Sequence, residues 1–201
     1  MPTAAATLLL LALVVFSLVG SRPESTVSSG PQYAASDQLV FPEHYRDWPF
    51  LTAGFDMSYR ADMQMGDHHM FDNVFVNPQA YRAFVKTGTW PDGTMLVLEV
   101  REAHGKGSIN LRGNFQTDVM GVEVHVKDTA HFAAGWAFFA FDPGGKTSPM
   151  IPRAASCYAC HSAHAAVDTT FVQFYPTLLS IAKSKDTLSS VYRNEQTAST
   201  K

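Results

Sequence analysis

The string Cys157-Tyr158-Ala159-Cys160-His161 constrains this chain more than any other feature, because it contains both cysteines of the 201 residues. Two thiols about one helical turn apart can each form a thioether with a vinyl group of a porphyrin, which presents the next side chain to the iron. Cys-x-x-Cys-His is accordingly the attachment motif of c-type haem. We expect one covalently bound haem c, attached near the C-terminal part of the fold, with His161 as the iron ligand.

Two other uses of these cysteines remain open. Thiolate and imidazole are also zinc ligands, so a zinc site is conceivable, although adjacent ligands do not fit the usual spacing. Its ligands would be Cys157, Cys160, His161 and His164. A disulfide between Cys157 and Cys160 would close a very small loop. Both alternatives are weaker than haem attachment on these grounds.

The N-terminal residues differ in kind from the rest. Residues 1–20 carry no charged side chain, residues 8–19 are almost wholly apolar, and the first charge is Arg22. This predicts a secretory signal peptide over residues 1–21, and the lack of a basic n-region leaves an uncleaved membrane anchor open. Residues 22–36 are rich in Ser, Pro and Gly and predict a flexible leader. We expect an exported, periplasmic protein.

The composition of the chain favours one globular domain. Apolar residues make up 46% of the sequence, enough for an ordinary core. The net charge of −3 provides no broad positive field, which argues against a nucleic-acid partner. We place the domain at residues 37–193, followed by a disordered polar tail over residues 194–201.

Hydrophobic patterning predicts the α+β class, with a predominantly antiparallel sheet and a few short helices. Asn77-Pro78 and Gly88 bound one helix, and a proline starts another over residues 176–185. Apolar runs at residues 95–100 and 136–141 predict strands. Residues 119–127 alternate, which puts Glu123 and His125 on one face and valines on the other.

The sixth position of the iron decides the function, because a strong ligand there makes an electron carrier and an open position makes a small-molecule site. No methionine follows His161, so a methionine ligand would have to come from upstream. The segment 56–70 contains soft side chains for this role, and we interpret them as packing residues because no spacing selects one. They are Met57, Met63, Met65, His68, His69 and Met70.

From residue 40 to about residue 182 the chain resembles the cytochrome P-460 family. The resemblance is carried, in this order, by residues 41–48 (FPEHYRDW), 77–81 (NPQAY), 86–88 (KTG), 92–94 (DGT), 122–123 (VE), 126–128 (VKD), 136–138 (WAF) and 157–161 (CYACH). It implies a largely β fold, usually a homodimer, with one five-coordinate haem c whose distal side binds small nitrogen species. Members include hydroxylamine oxidisers and the cytochromes c′-beta, which bind nitric oxide.

Two positions depart from the hydroxylamine-oxidising members. Leu98 stands where they carry a lysine bound covalently to the macrocycle, and Asp72 stands where they carry a distal arginine. Glu123 matches their distal carboxylate. The cytochrome c′-beta branch is therefore the nearer analogue, and an oxidoreductase activity stays open. Lys86 and Lys127 are candidates for reaching the ring in place of the missing lysine.

Other residues are candidates for the distal side of the haem. Burial over a porphyrin would raise the pKa of Glu123 and make it a proton acceptor, whereas a solvated residue or a partner of Lys127 is the alternative. His125 is a further candidate for the sixth ligand, although a satisfied core histidine is commoner. Phe71 and Phe75 are expected to cap the iron and to exclude large or anionic ligands.

The sequence thus predicts an exported mono-haem c cytochrome with an open distal site. The expected ligands are nitric oxide and hydroxylamine, and the expected partners are a redox cytochrome and a second copy of the chain. A six-coordinate electron carrier and a non-enzymatic carrier or sensor of nitric oxide are the alternatives.

Overall fold

The computed structural model describes residues 30–59, 66 and 68–198. The predicted signal peptide or anchor over residues 1–21 lies outside this part of the chain, as do Met63 and Met65. No helix within the described ranges combines the length and apolar character needed to cross a membrane.

A five-stranded antiparallel sheet forms the centre of the structure. Its strands are β2 (Phe50–Phe55), β3 (His69–Val76), β4 (Met95–His104), β5 (Phe115–Lys127) and β6 (Trp136–Phe141), and they lie side by side in chain order. The strands β1 (Leu39–Val40) and β7 (Thr147–Ser148) pair with each other in a second small sheet. The predicted α+β class with a mainly antiparallel sheet is confirmed.

Four α-helices accompany the sheet within the described residues. They are α1 (Pro78–Thr87), α2 (Ser156–His164), α3 (Pro176–Ser184) and α4 (Ser190–Ala198). Short 3-10 turns occur at Ala35–Asp37, Tyr45–Asp47 and Val172–Phe174. The helix α1 has the predicted ends: Pro78 occupies its first turn, and Gly88 closes it in the left-handed conformation at φ 76°, where its amide donates to the Phe84 carbonyl at 2.7 Å.

The sheet separates two hydrophobic clusters because successive strand residues point to opposite faces. One face packs against α1 and α3 through residues such as Val76, Leu96 and Leu178. The other face carries Val97, Val122, Val124, Val126 and Phe139 and packs against Leu39 and Tyr45. In β5 this is the predicted alternation: Val122, Val124 and Val126 are buried on one face, and Glu123 and His125 lie on the other.

The folded part extends beyond both predicted limits of the domain. Tyr33, within the predicted leader, pairs with Leu39, and its hydroxyl donates to Asp128 at 3.0 Å. At the other end α4 continues to Ala198, so residues 194–198 of the predicted tail are helical. Tyr192 anchors this last helix in the core.

Candidate functional site

A cavity of about 600 Å³ lies between the α1/α3 face of the sheet and the segment that contains α2. This volume falls within the range of roughly 300–1,000 Å³ that is usual for ligand and cofactor sites. Its walls include residues of β2, β3, β4 and β5 on one side, and residues of α2 and of the stretch 170–175 on the other. A more open depression of similar volume at the β4–β5 hairpin contains none of the motif residues.

The helix α2 brings the whole attachment motif to this cavity. Cys157, Cys160 and His161 all line it, and both thiols are free. Residues three and four positions apart lie on the same side of a helix, which explains why the two cysteines and the histidine face the cavity together. The donor set and the size of the cavity therefore fit a haem held through two thioethers and one imidazole.

The imidazole of His161 is held in one orientation. Its Nδ1 lies 2.7 Å from the Thr169 carbonyl, which can only accept, so Nδ1 donates and Nε2 keeps its lone pair for a metal. Burial lowers the pKa of His161, and the hydrogen bond to Thr169 only partly opposes this effect. The lowered pKa favours the neutral ring. The rings of Phe138 and Phe171 pack against it, with centroids at 4.6 and 4.1 Å. His161 thus has the tautomer and orientation of an iron ligand.

The zinc alternative requires His164 to join the other three ligands. Instead, its Nδ1 bonds to the carboxylate of Glu195 on α4. Across the ranges that the structure describes, no three His, Cys, Asp or Glu side chains converge as a metal site would require. The geometry favours the haem interpretation of the motif.

The sheet wall of the cavity carries Leu98 and Glu123. Register places Val74, Leu98 and Glu123 side by side on β3, β4 and β5, with Asp72 and Val100 one row further along. All five residues line the cavity. Burial raises the pKa of the Glu123 carboxyl, and burial together with the neighbouring Glu123 and Asp56 raises that of Asp72.

The structure does not bring Phe71 or Phe75 to this wall. Because β3 alternates, its even-numbered residues Met70, Asp72 and Val74 face the cavity, and Phe71 and Phe75 point to the other side of the sheet. Phe71 packs against Phe55 with centroids 4.9 Å apart, and Phe75 packs against Tyr45 at 5.6 Å. The expectation that Phe71 and Phe75 cap the iron is not met, because it assumed the wrong face of β3.

Neither lysine proposed to replace the missing one reaches the cavity. The ammonium of Lys127 donates to the Trp90 carbonyl at 2.8 Å and to Asp168 at 3.1 Å. Lys86 is exposed on α1. The cavity lining, taken over the residues that are described, contains no lysine, and Leu98 occupies the wall as an aliphatic side chain.

Of the candidates for a sixth iron ligand, some line the cavity and others lie outside it. Met57 and Met70 line the cavity, whereas His69 bonds to Asp56 at 2.5 Å outside it and His68 is exposed. His125 is buried, and its ring stacks on Phe138 at 3.9 Å. It also lies in edge contact with His161, with ring centroids 5.2 Å apart, and its Nε2 is 3.3 Å from Thr169 Oγ1, so protein groups already surround this ring.

Several residues of the site carried no assignable signal in the sequence. The Thr169 carbonyl orients His161 through the backbone, which any residue type could do. Tyr59 lines the cavity and packs against Phe171 at 5.7 Å, yet it lies in a stretch without periodicity. All three residues lie within the region of resemblance, residues 40–182, but neither Thr169 nor Tyr59 belongs to the motifs that carry it.

Comparison with known proteins agrees with this geometry. The sequence model of the family described as Cytochrome P460 matches residues 42–172, well over half of the chain, and the match includes the complete attachment motif. A search of curated proteins finds no match. With its haem-binding motif facing an internal cavity and the family pattern running through the sheet that forms its wall, the chain belongs to the cytochrome P460 family.

Proposed function

We propose that this protein is an exported mono-haem c cytochrome whose distal side is open to small nitrogen ligands such as nitric oxide and hydroxylamine. Cys157 and Cys160 hold the ring through thioethers, and His161 binds the iron. The bound haem supplies an iron centre that takes up diatomic and small polar ligands and exchanges electrons. Export rests on the sequence of residues 1–21, and the homodimer and the redox partner cytochrome rest on the family resemblance.

The main support for an open iron position is the aliphatic surface of the sheet wall. Val74, Leu98 and Val100 are aliphatic and cannot ligate iron. The Met57 thioether is packed directly against Gly54 of β2, where a Cβ atom would collide with it. This contact holds the sulfur against the sheet and supports an open distal position.

Leu98 and Glu123 shape what can happen to a ligand there. Leucine offers no amine for a second covalent bond to the ring, which supports ligand capture over the chemistry of the hydroxylamine oxidisers. Glu123, with its pKa raised by burial, is placed to accept a proton from a bound N–O species. We therefore propose binding as the principal activity and oxidation of hydroxylamine as an extension of it.

Carbon monoxide tests the open site directly. The reduced holoprotein should show a large optical change on addition of carbon monoxide, because an open iron binds this ligand without displacing a protein group. A low-spin spectrum that carbon monoxide leaves unchanged would contradict the proposal.

A six-coordinate electron carrier is the second candidate, since Met57 and Met70 both line the cavity. In that case Met57→Leu or Met70→Leu would convert a low-spin spectrum into a high-spin one. If the site is open, both variants keep the wild-type spectrum.

Hydroxylamine turnover separates an enzyme from a carrier or sensor. Stopped-flow mixing of the oxidised holoprotein with hydroxylamine and an electron acceptor should show continuing reduction of the acceptor if the protein is an enzyme. Glu123→Gln should then slow turnover by roughly 10²-fold or more, as expected for loss of a general base. Binding without turnover would leave the carrier or sensor function.

A further inference from the structure

The charges that face the cavity are all of one sign. Within the described ranges, neither lysine nor arginine lines it, and Asp72 and Glu123 are its only carboxylic acids. The other ionisable side chains of the lining carry no negative charge that would oppose this assignment: burial raises the pKa of Tyr59 and Tyr175, and His161 is the proposed iron ligand.

Two cations of the described residues, Arg153 and Lys127, lie outside this lining and contact other protein groups. The positive charge of Arg153 contributes to the lowered pKa of His125. The Arg153 guanidinium lies 4.5 Å from the centre of the Tyr158 ring. Lys127 is bonded to the Trp90 carbonyl and to Asp168. Lys127 and Arg153 thus contact protein groups outside the cavity lining, although the positive charge of Arg153 acts on His125 of the sheet wall.

The two carboxyl groups border the same space. Asp72 is on β3 and Glu123 is on β5, and these strands are separated only by β4, which corresponds to roughly 10 Å. Leu98 and Val100 of β4 lie between them, and Gly121, opposite Val100, adds no side chain. A ligand above Leu98 and Val100 therefore has a carboxyl group on either side and aliphatic carbon beneath it.

This arrangement makes the affinity of the cavity for a ligand depend on the charge of that ligand. An anion that enters a partly buried space next to carboxylates loses hydration, meets like charge and finds no cationic partner in the lining. A neutral diatomic molecule loses little hydration and feels little of the field. A cation is attracted by both carboxylates.

We propose that Asp72 and Glu123 make this cavity selective for uncharged and cationic ligands and against anions such as nitrite and azide. The inference rests on the proposed function, because it concerns ligands that reach the same distal space. It assigns anion exclusion to Asp72 and Glu123 of the sheet wall, a task that the sequence suggested for Phe71 and Phe75.

Ligand affinities of the holoprotein test this selectivity. The dissociation constants of azide and nitrite are measured optically for the ferric form at fixed neutral pH, and that of carbon monoxide is measured for the ferrous form. The variants are Asp72→Asn and Glu123→Gln, which remove a charge and keep the size of the side chain. Asp118→Asn is the matched control, because Asp118 is exposed on β5 and does not line the cavity.

Each cavity variant should bind azide and nitrite about tenfold more tightly than the wild type, since losing one nearby like charge changes binding by about one power of ten. The affinity for carbon monoxide should change by less than about twofold, because the ligand has no charge. Asp118→Asn should resemble the wild type for all three ligands.

The outcomes separate the two proposals. If the wild type binds carbon monoxide and the cavity variants leave azide and nitrite affinities unchanged, the selectivity proposal is overturned and the open site stands. If the wild type binds no carbon monoxide, the proposed function fails and the selectivity proposal fails with it. An equal gain in azide and nitrite affinity for Asp118→Asn would also overturn the selectivity proposal, because the effect would then reflect the net charge of the protein.

Discussion

Leu98 is the single residue that most sets this chain apart from a protein with a second covalent link to its haem. It lies between Val74 and Glu123 on the sheet wall, and an aliphatic side chain there would leave a bound haem with covalent bonds to α2 alone. Because the described lining contains no side-chain amine, we expect the porphyrin to be attached only through Cys157 and Cys160.

Digestion with trypsin should confirm a single attachment. Cleavage after Arg153 and Lys183 releases one peptide with both cysteines and His161, and we predict that the whole haem mass is found on it. Mass spectrometry of the haem-bearing fraction gives the answer. Two peptides joined through one porphyrin would show that a lysine or tyrosine reaches the ring.

At the residue scale, the motif residues and Glu123, which the sequence singled out, line one cavity, whereas Phe71 was misplaced. The string at residues 157–161 defines its own chemistry, so no tertiary information was needed. Glu123 was assigned to the correct face because its neighbours on β5 are valines that mark the opposite face. In β3 both faces carry apolar side chains, Met70 and Val74 against Phe71 and Phe75, so alternation alone could not identify the cavity face.

Among the structural elements, the 3-10 turn Tyr45–Asp47 is tied to β4 through Glu99. This carboxylate is 2% exposed and accepts hydrogen bonds from the Tyr45 hydroxyl, from Arg46 Nε at 2.7 Å and from Arg101 Nε at 2.6 Å. Burial alone would raise the pKa of Glu99, but these bonds outweigh it and lower the pKa. Glu99 thus fixes the chain segment that covers the second face of the sheet.

We predict that Glu99→Gln lowers the free energy of unfolding by about 2–3 kcal/mol, because it removes the charge that three donors share. Since the folded pKa is lowered, this contribution is present above the unfolded pKa and is lost as pH falls through the folded value. Denaturant unfolding at neutral pH and below pH 4 measures both effects. Glu43→Gln, which disrupts only the exposed pair with Lys146, should cost less than about 1 kcal/mol.

The end of α1 provides a second prediction at this scale. A Cβ atom on Gly88 would lie 2.8 Å from Lys185 Cβ and from Thr187 Oγ1, and its φ of +76° already disfavours other residues. Gly88→Ala should destabilise the fold by about 2–3 kcal/mol. Gly144→Ala, at φ +81° with open space around it, should cost about 1 kcal/mol from strain alone. Equal thermal shifts would show that α1 is not packed against the residues after α3.

Element boundaries were predictable where local chemistry determines them. The helix α1 begins and ends at its proline and glycine, and β6 matches the predicted run at residues 136–141. β4 and β5 are longer than predicted because their outer residues pair as a hairpin, and this pairing does not require an apolar run. The position of Tyr33 could not be predicted, because its side chain contacts Asp128 and His131, nearly a hundred residues away.

On the scale of the whole molecule, the cavity is an interruption of the core on the α1/α3 face of the sheet. Leu96 belongs to that core and also lines the cavity, and Val74 and Leu98 continue the same surface. A haem placed there would complete the apolar layer between the sheet and α2. Its binding should therefore contribute to the stability of the entire domain.

The double variant Cys157→Ser/Cys160→Ser tests this contribution. Without thioethers the haem is lost on purification, and the aliphatic wall stays in contact with water. At about 1.5–3 kcal/mol for each large apolar side chain, we predict a fall of the order of 10 °C in Tm. Calorimetry of the wild type and the variant provides the comparison, and an unchanged Tm would show that the haem adds nothing to the core.

The helix α2 contains no buried residue, although it carries the whole attachment motif. Because every residue of α2 keeps some exposed surface, we expect that an enzyme that joins vinyl groups to thiols can reach Cys157 and Cys160 after the sheet has formed. Attachment of the haem would then not require the domain to unfold. A haem bonded to Cys157 and Cys160 would then be the final component of the interior, filling the space between α2 and the sheet wall.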